Sequence, residues 1–160
     1  MGIRMTTSAS ALDAFLQRAA RKIQENVLNA LSKLGDESVV RIRNRSAKES
    51  WIDHTGNLRS SIGFAVYEHG KKYMESAFSQ VLSGTDGSAK GKKMINDLAR
   101  EYSRVYALVV VAGIEYAGEV EALESKDVLA STKIWATSIV ERRVKTAIES
   151  AVNEINRWKI

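Results

Sequence analysis

The sequence lacks cysteine and proline altogether and has only two histidines among its 160 residues. Without cysteine, the chain cannot form disulfides, thiolate nucleophiles or zinc–thiolate sites. Without proline, no helix is stopped by a missing backbone N–H, so glycines and polar clusters must mark the ends of the elements. The sequence predicts no catalytic residue, no metal site and no cofactor, although metal binding by carboxylates alone stays open.

The sequence also lacks a long hydrophobic run. The longest one, residues 106–113, is far shorter than the roughly 20 residues that a membrane-spanning helix needs. Residues 1–10 have no apolar core of the kind found in signal peptides. Apolar residues make up 44% of the chain and charged residues 27%, as in ordinary globular proteins. We therefore expect a single domain, residues 1–160, inside the cell and without a membrane partner.

Two long segments carry apolar residues at helical spacing. The first follows Ser8 or Ser10, either of which fits an N-cap, and is expected to run to about residue 48 with a bend near Gly35. The second is expected to start at a cap formed by Ser131 or Thr132 and to run to Trp158. A short helix is predicted over residues 115–123.

Two segments favour strands. Alternating side chains predict one over residues 58–67, and the unbroken apolar run predicts another over 105–113, covered on both faces. A third, very short strand fits residues 128–130. The expected fold is α+β, with a small antiparallel sheet of three to four strands packed against a long N-terminal helix and a long C-terminal helix.

Residues 71–104 have the least regular pattern and are predicted to be an insertion. Residues 73–82 fit either a helix or a short strand. Residues 83–93 contain three glycines and three lysines, which predicts a flexible loop, and residues 94–104 favour a short helix. The loop resembles a phosphate-binding motif only superficially, because its glycine spacing is wrong and Lys93 stands where Ser or Thr is needed.

Charge is distributed unevenly along the chain, whose net charge is +5. Residues 115–127 hold five acidic side chains and one lysine, whereas the flanking regions are basic. Such a pattern allows one copy to complement another, or simply forms a solvated acidic face. Glu119 and Glu121 lie two positions apart, so on a helix they would not face each other as a catalytic pair. The residues predicted to take part in interactions are Arg41, Arg43, Arg45, Lys90, Lys92, Lys93, Glu115, Glu119, Glu121 and Glu124.

The basic residues leave a second function open, a nucleic-acid-binding module that acts through phosphate contacts. No helix-turn-helix, RNP or zinc-finger signature accompanies them. Asp53, His54 and Thr55 would be an acid–base site only if their side chains converged, and neighbours in an extended segment point in different directions. His54 is therefore interpreted as a residue of a turn.

Residues 51–62, 108–121 and 127–129 together resemble the gene-product-ten-like family of tail-completion and head–tail joining proteins of long-tailed phages and prophages. The resemblance rests on Thr-Gly-Asn-Leu-Arg-Ser-Ser-Ile at 55–62 and Tyr-Ala-Gly-Glu-Val-Glu at 116–121, and it covers most of residues 10–158. Residues 71–104 are longer than expected of the family, and the proline-rich turn that many members carry before the last helix is missing. The residues expected to specify the fold are Thr55, Gly56, Asn57, Leu58, Arg59, Ile62, Gly113, Tyr116, Ala117 and Val120.

The resemblance implies a non-enzymatic structural subunit that forms a ring, expected to be hexameric, between the capsid connector and the tail tube. Implied partners are copies of the chain, connector or adaptor proteins, tail-tube proteins and, in the lumen, DNA contacted without sequence preference. The chain would be in the bacterial cytoplasm during assembly and then in the virion. In the implied docking, the acidic segment 115–127 of one copy meets Arg41, Arg43 and Arg45 of the next.

Overall fold

The computed structural model describes residues 8–46, 51–122 and 126–159. The helices are α1 (Ala9–Arg43), α2 (Asn57–Ser60), α3 (Thr85–Leu98), α4 (Ala117–Ala122) and α5 (Ala130–Ile155), and a 3₁₀ turn, Ala99–Tyr102, follows α3. The strands are β1 (Ile62–Glu68), β2 (Lys71–Glu75) and β3 (Tyr106–Ala112). They form one antiparallel sheet in the order β2-β1-β3. The predicted α+β class and both long helices are confirmed.

Helix α1 begins where Ser8 accepts a hydrogen bond from the backbone N–H of Ala11, as expected of an N-cap. It continues through Gly35 and ends at Arg43, so the predicted extension to residue 48 is wrong; residues 47–50 lie outside the described residues. Gly35 marks a close approach instead. A Cβ atom there would lie 2.3 Å from the ring of Phe64 in β1.

The sheet is covered on both faces. On one face, Phe64 and Val66 of β1 pack against Leu28 and Leu31 of α1. On the other face, Ala65 and Tyr67 of β1 pack with Phe78, Ile95 and Val109. The central strand is β1, whose residues from Ile62 to Tyr67 are all buried, whereas the more apolar β3 lies at an edge.

Two predicted elements are wrong, and the strand predicted over residues 58–67 begins later than expected. Leu58 lies in α2, because the backbone turns at Gly56 (φ 79°) into one helical turn, and the strand starts only at Ile62. The predicted flexible loop over residues 83–93 is mostly the first two-thirds of α3. No strand forms over residues 128–130, where Val128 is fully buried and Ala130 begins α5.

Residues 71–104 are integral to the fold. They contribute β2, α3 and the 3₁₀ turn, and they place Phe78 and Ile95 in the core. The ambiguous residues 73–82 begin within β2 and continue as irregular chain, with Phe78 and Leu82 at positive φ.

Candidate interaction surfaces

The two segments that carry the family resemblance pack against each other. The N–H of Gly113, just after β3, donates to the carbonyl of Ser61, just before β1, over 3.2 Å. One buried cluster then joins both segments and the end of α1, and its members are Ile42, Trp51, Leu58, Ile62, Ala112, Ile114, Ala117 and Val128, with Val120 packed against them. Tyr116, expected to pack onto the strand, is 39% exposed, and Ile114 occupies the core instead.

Asp53 and Arg59 organise the first segment. The Asp53 carboxylate accepts hydrogen bonds from the backbone N–H groups of Gly56 (2.9 Å) and Arg59 (2.8 Å), which fixes the turn into α2. The Arg59 guanidinium donates to the carbonyls of Arg43 and Arg45, both at 3.1 Å, and so satisfies carbonyls at the end of α1. Asp at the first position of a turn and Gly at the fourth is a combination typical of turns.

The remaining polar side chains of this turn also serve the fold. Thr55 accepts a hydrogen bond from the N–H of Asn57, and the Asn57 amide oxygen accepts one from the N–H of Gly87 in α3. His54 is exposed, as expected of a turn residue.

Arg45 lies at the centre of the most extensive polar cluster. Its guanidinium forms an ion pair with Asp127 (2.8 Å) and donates to the Asp127 carbonyl (2.8 Å) and to the hydroxyls of Ser131 (2.7 Å) and Thr132. Burial raises the pKa of Asp127, but hydrogen bonds from Ser131 and Arg45 outweigh it and hold that pKa below its usual value.

The start of α5 is capped from outside the helix, so the predicted cap by Ser131 or Thr132 is wrong. Glu121 accepts hydrogen bonds from the N–H groups of Leu129 (2.9 Å) and Ala130 (2.7 Å), and Asp127 accepts one from the N–H of Ser131 (3.1 Å). Two carboxylates therefore meet the positive end of the helix dipole.

The other predicted basic residues are placed differently from Arg45. Arg43 donates to the carbonyl of Ile62 (2.7 Å), and burial lowers its pKa from the ordinary value. Arg41 lies over the ring of Trp135, 5.2 Å from its centroid.

The lysines of the predicted loop project from α3. Lys90 forms an ion pair with Glu115 (2.6 Å), and the hydrogen bond raises the pKa of Lys90 and lowers that of Glu115. Lys93 pairs with Asp97 (2.8 Å) along the helix, while Lys92 and Glu119 are exposed. Glu124 lies outside the described residues. Much of the charge complementarity expected between copies is thus satisfied within one chain.

A groove lies beside β3. It has a volume of about 300 Å³ and is lined by β3, the end of α1, the start of α5 and Tyr102. Across the three described stretches, no group of three or more His, Asp or Glu side chains is arranged to hold a metal ion. None of the described helices is both long and apolar enough to cross a membrane.

No family model, curated protein or solved structure matches this chain.

Proposed function

We propose that the chain is a structural subunit of the head–tail joint of a long-tailed phage or prophage, where it forms a ring between the capsid connector and the tail. The observation that carries the proposal is the junction between the two segments of the family resemblance, where Gly113 bonds to Ser61 and both segments share one core cluster. Residues that are far apart in the sequence therefore act as one unit.

A two-helix arm, formed by the part of α1 before Leu28 and the part of α5 that packs against it, supports an assembly role. Helices α1 and α5 run antiparallel, as shown by the Lys22–Glu154 ion pair (2.7 Å) and the edge-to-face contact of Phe15 with Trp158 (6.2 Å). The first buried residue of α1 is Leu28, so the part before it, about 19 residues or roughly 28 Å, borders the sheet only near its end. Apolar side chains on this arm are exposed, and they are Leu12, Leu16, Ile148 and Val152.

Exposed apolar side chains on a two-helix arm suit contact with another protein subunit. The α1 half of the arm also carries two arginines. The guanidinium of Arg18 stacks on the ring of Trp158 at 3.9 Å, and Arg21 is exposed. Arg45, Glu115 and Glu121 already have partners within the chain, so we no longer assign the contact between copies to segment 115–127 and Arg41, Arg43 and Arg45. The arm is instead the surface proposed to contact the connector.

The proposal is tested in a lysogen that encodes the chain, by deleting its gene and inspecting the induced lysate by electron microscopy. The expected result is DNA-filled heads and complete tails that are not joined, since each half can assemble without the joint. Purified wild-type protein added to this lysate should restore joined, infectious particles. Joined particles in the deletion lysate, or heads without DNA, would overturn the proposal.

A matched pair of variants connects this result to the arm. Leu16 is 56% exposed on the arm and Leu82 is 70% exposed in the irregular segment after β2. Leu16→Glu protein should fail to restore joining, whereas Leu82→Glu protein should restore it. Static light scattering with the purified connector gives the same comparison in a defined mixture, with wild-type and Leu82→Glu protein binding and Leu16→Glu protein remaining apart.

A further inference from the structure

The two edges of the sheet differ in chemistry. Strand β3 has no charged residue, whereas β2 carries Lys71, Lys72 and Glu75. Edge strands normally carry charges that limit pairing with other chains, and the free edge of β3 carries none.

The free edge of β3 exposes a regular row of backbone groups. The bonds Gly113 N–H to Ser61 and His69 N–H to Val105 show that odd-numbered residues of this region face β1. By alternation, the N–H and C=O groups of Tyr106, Leu108, Val110 and Ala112 face away from the sheet. Within residues 8–46, 51–122 and 126–159, no strand pairs with them.

A groove runs along this free edge. Leu108 and Val110 form its floor, Leu129 and Ala136 of the α5 region form one wall, and Tyr102 closes the opposite side. Helix α5 thus overhangs a space beside β3 that holds no strand.

The opposite edge has the converse arrangement. Met74 pairs with Val66, whose side chain packs toward α1, and the register shifts at this point so that Tyr73 is an extra residue. Met74 is 43% exposed and Tyr73 40% exposed. Tyr73 reaches α1, where its hydroxyl donates to the side-chain oxygen of Asn29 (3.0 Å), whereas Met74 presents a half-exposed apolar side chain on the face where α1 and α5 lie.

We propose that β2 of a second copy adds to the free edge of β3, with Met74 entering the groove beneath α5. Strands β2 and β3 both run antiparallel to β1, so copies that keep the same face toward α1 and α5 pair in parallel. The contact is head-to-tail, the type that closes into rings. This contact depends on the proposed function only for the location of the ring between the capsid connector and the tail.

The symmetric alternatives fit less well. Pairing of β2 with β2 would leave the groove beside β3 without an occupant. Pairing of β3 with β3 would set two α5 helices over the same pair of strands and leave Met74 exposed. Only the β2-to-β3 contact fills the groove and covers Met74 at once.

Cysteine cross-linking tests the contact, because the chain has no cysteine of its own. Met74→Cys and Ala136→Cys proteins are purified separately, checked for native circular dichroism, mixed at high concentration and treated with a short bismaleimide. The mixture should give a cross-linked dimer and neither protein alone should do so. The double variant should give a ladder of dimers, trimers and larger species. Leu82→Cys mixed with Ala136→Cys is the matched control and should give none.

Cross-linking of either single variant alone, as strongly as in the mixture, would show a symmetric contact and overturn the proposal. Equal yields from the control mixture, or no product from Met74→Cys with Ala136→Cys, would overturn it too. These measurements use the purified chain alone, so their failure leaves the head–tail experiment unaffected, and a failure of head–tail joining leaves a positive cross-link standing.

Discussion

The two ends of the acidic segment 115–127 are attached to the fold by opposite means. At its end, Asp127 is held by Arg45, whose side chain is only 10% exposed and which pairs with the carboxylate and donates to four further oxygens. At its start, Glu115 forms an ion pair with Lys90 in which the glutamate is 79% exposed. The same charge pattern in the sequence therefore yields one buried cluster and one solvated pair.

What holds the start of the segment is backbone contact. Gly113 lies against Gly91 of α3 so closely that a Cβ on Gly113 would be 2.5 Å from the Gly91 Cα. A Cβ on Gly91 would lie 2.5 Å from Phe78 and 2.6 Å from the carbonyl oxygen of Ser61. The comparison teaches that charge fixes α5 at one end of the segment, whereas close packing fixes α3 at the other.

The largest effect is expected from Arg45→Met, which keeps the apolar stem but leaves Asp127 without its cation. We expect a loss of about 2–4 kcal/mol in the free energy of unfolding, because breaking a partly buried pair leaves a poorly solvated carboxylate and removes several hydrogen bonds. Urea unfolding followed by circular dichroism measures it. Arg41→Met is the matched control. Arg41 is exposed over Trp135, and its loss should cost about 1 kcal/mol or less. Equal losses in the two variants would refute a special role for Arg45.

Gly91→Ala tests the packing side of the comparison. The new methyl group must displace the ring of Phe78 or the Ser61 carbonyl, so a loss of about 1–3 kcal/mol is expected. Gly118→Ala is its control, since a Cβ there meets nothing within 4 Å and α4 gains a better helix former. It should leave the unfolding midpoint unchanged or raise it. A neutral Gly91→Ala variant would mean that α3 is not held by this contact.

Acid unfolding separates Asp127 from the rest of the cluster. Its folded pKa lies below the unfolded value of about 3.9, so its contribution is present above that pH and is lost as the pH falls through the folded pKa. Asp127→Asn removes the contribution at neutral pH. The difference in stability between wild type and this variant should therefore be largest near neutrality and should shrink below about pH 4. A difference that is constant with pH would point to lost hydrogen-bond geometry rather than lost charge.

Helical and strand periodicity predicted the parts of the fold whose contacts repeat along one element. Helices α1 and α5 follow from apolar residues at helical spacing, and strand β3 follows from its unbroken apolar run. Helix α3 could not be predicted in this way. Glycines at 84, 87 and 91 favour a loop locally. At Gly87 and Gly91, however, a larger side chain has no room, because the backbone of Asn57 lies against Gly87 and the Phe78 ring and the Ser61 carbonyl lie against Gly91. That information resides in distant parts of the sequence.

The sequence predicted that acidic and basic interaction residues would attract each other, but not which residue each of them would pair with. An acidic segment between basic regions indicates attraction, and Arg45 with Asp127 and Lys90 with Glu115 do pair. Sequence gives no means of deciding whether the partner belongs to the same chain or to another copy, because that depends on a fold that brings residues 45 and 127 together. Glu121 was expected on a surface and instead caps α5, a role visible only once the chain turns back at residues 126–129.

The smallest effect is expected from Lys90→Gln, which removes the exposed pair at the start of the segment. Both partners are solvated, so water replaces the lost contact and the unfolding midpoint should not change measurably. For the same reason, added salt should not lower the wild-type midpoint through the Lys90–Glu115 pair, because solvent and ions already screen these exposed charges. Glu115→Gln should behave in the same way in urea unfolding. If either variant unfolded as easily as Gly91→Ala, the pair rather than the glycine contact would hold α3, and the contrast between the two ends of the segment would collapse.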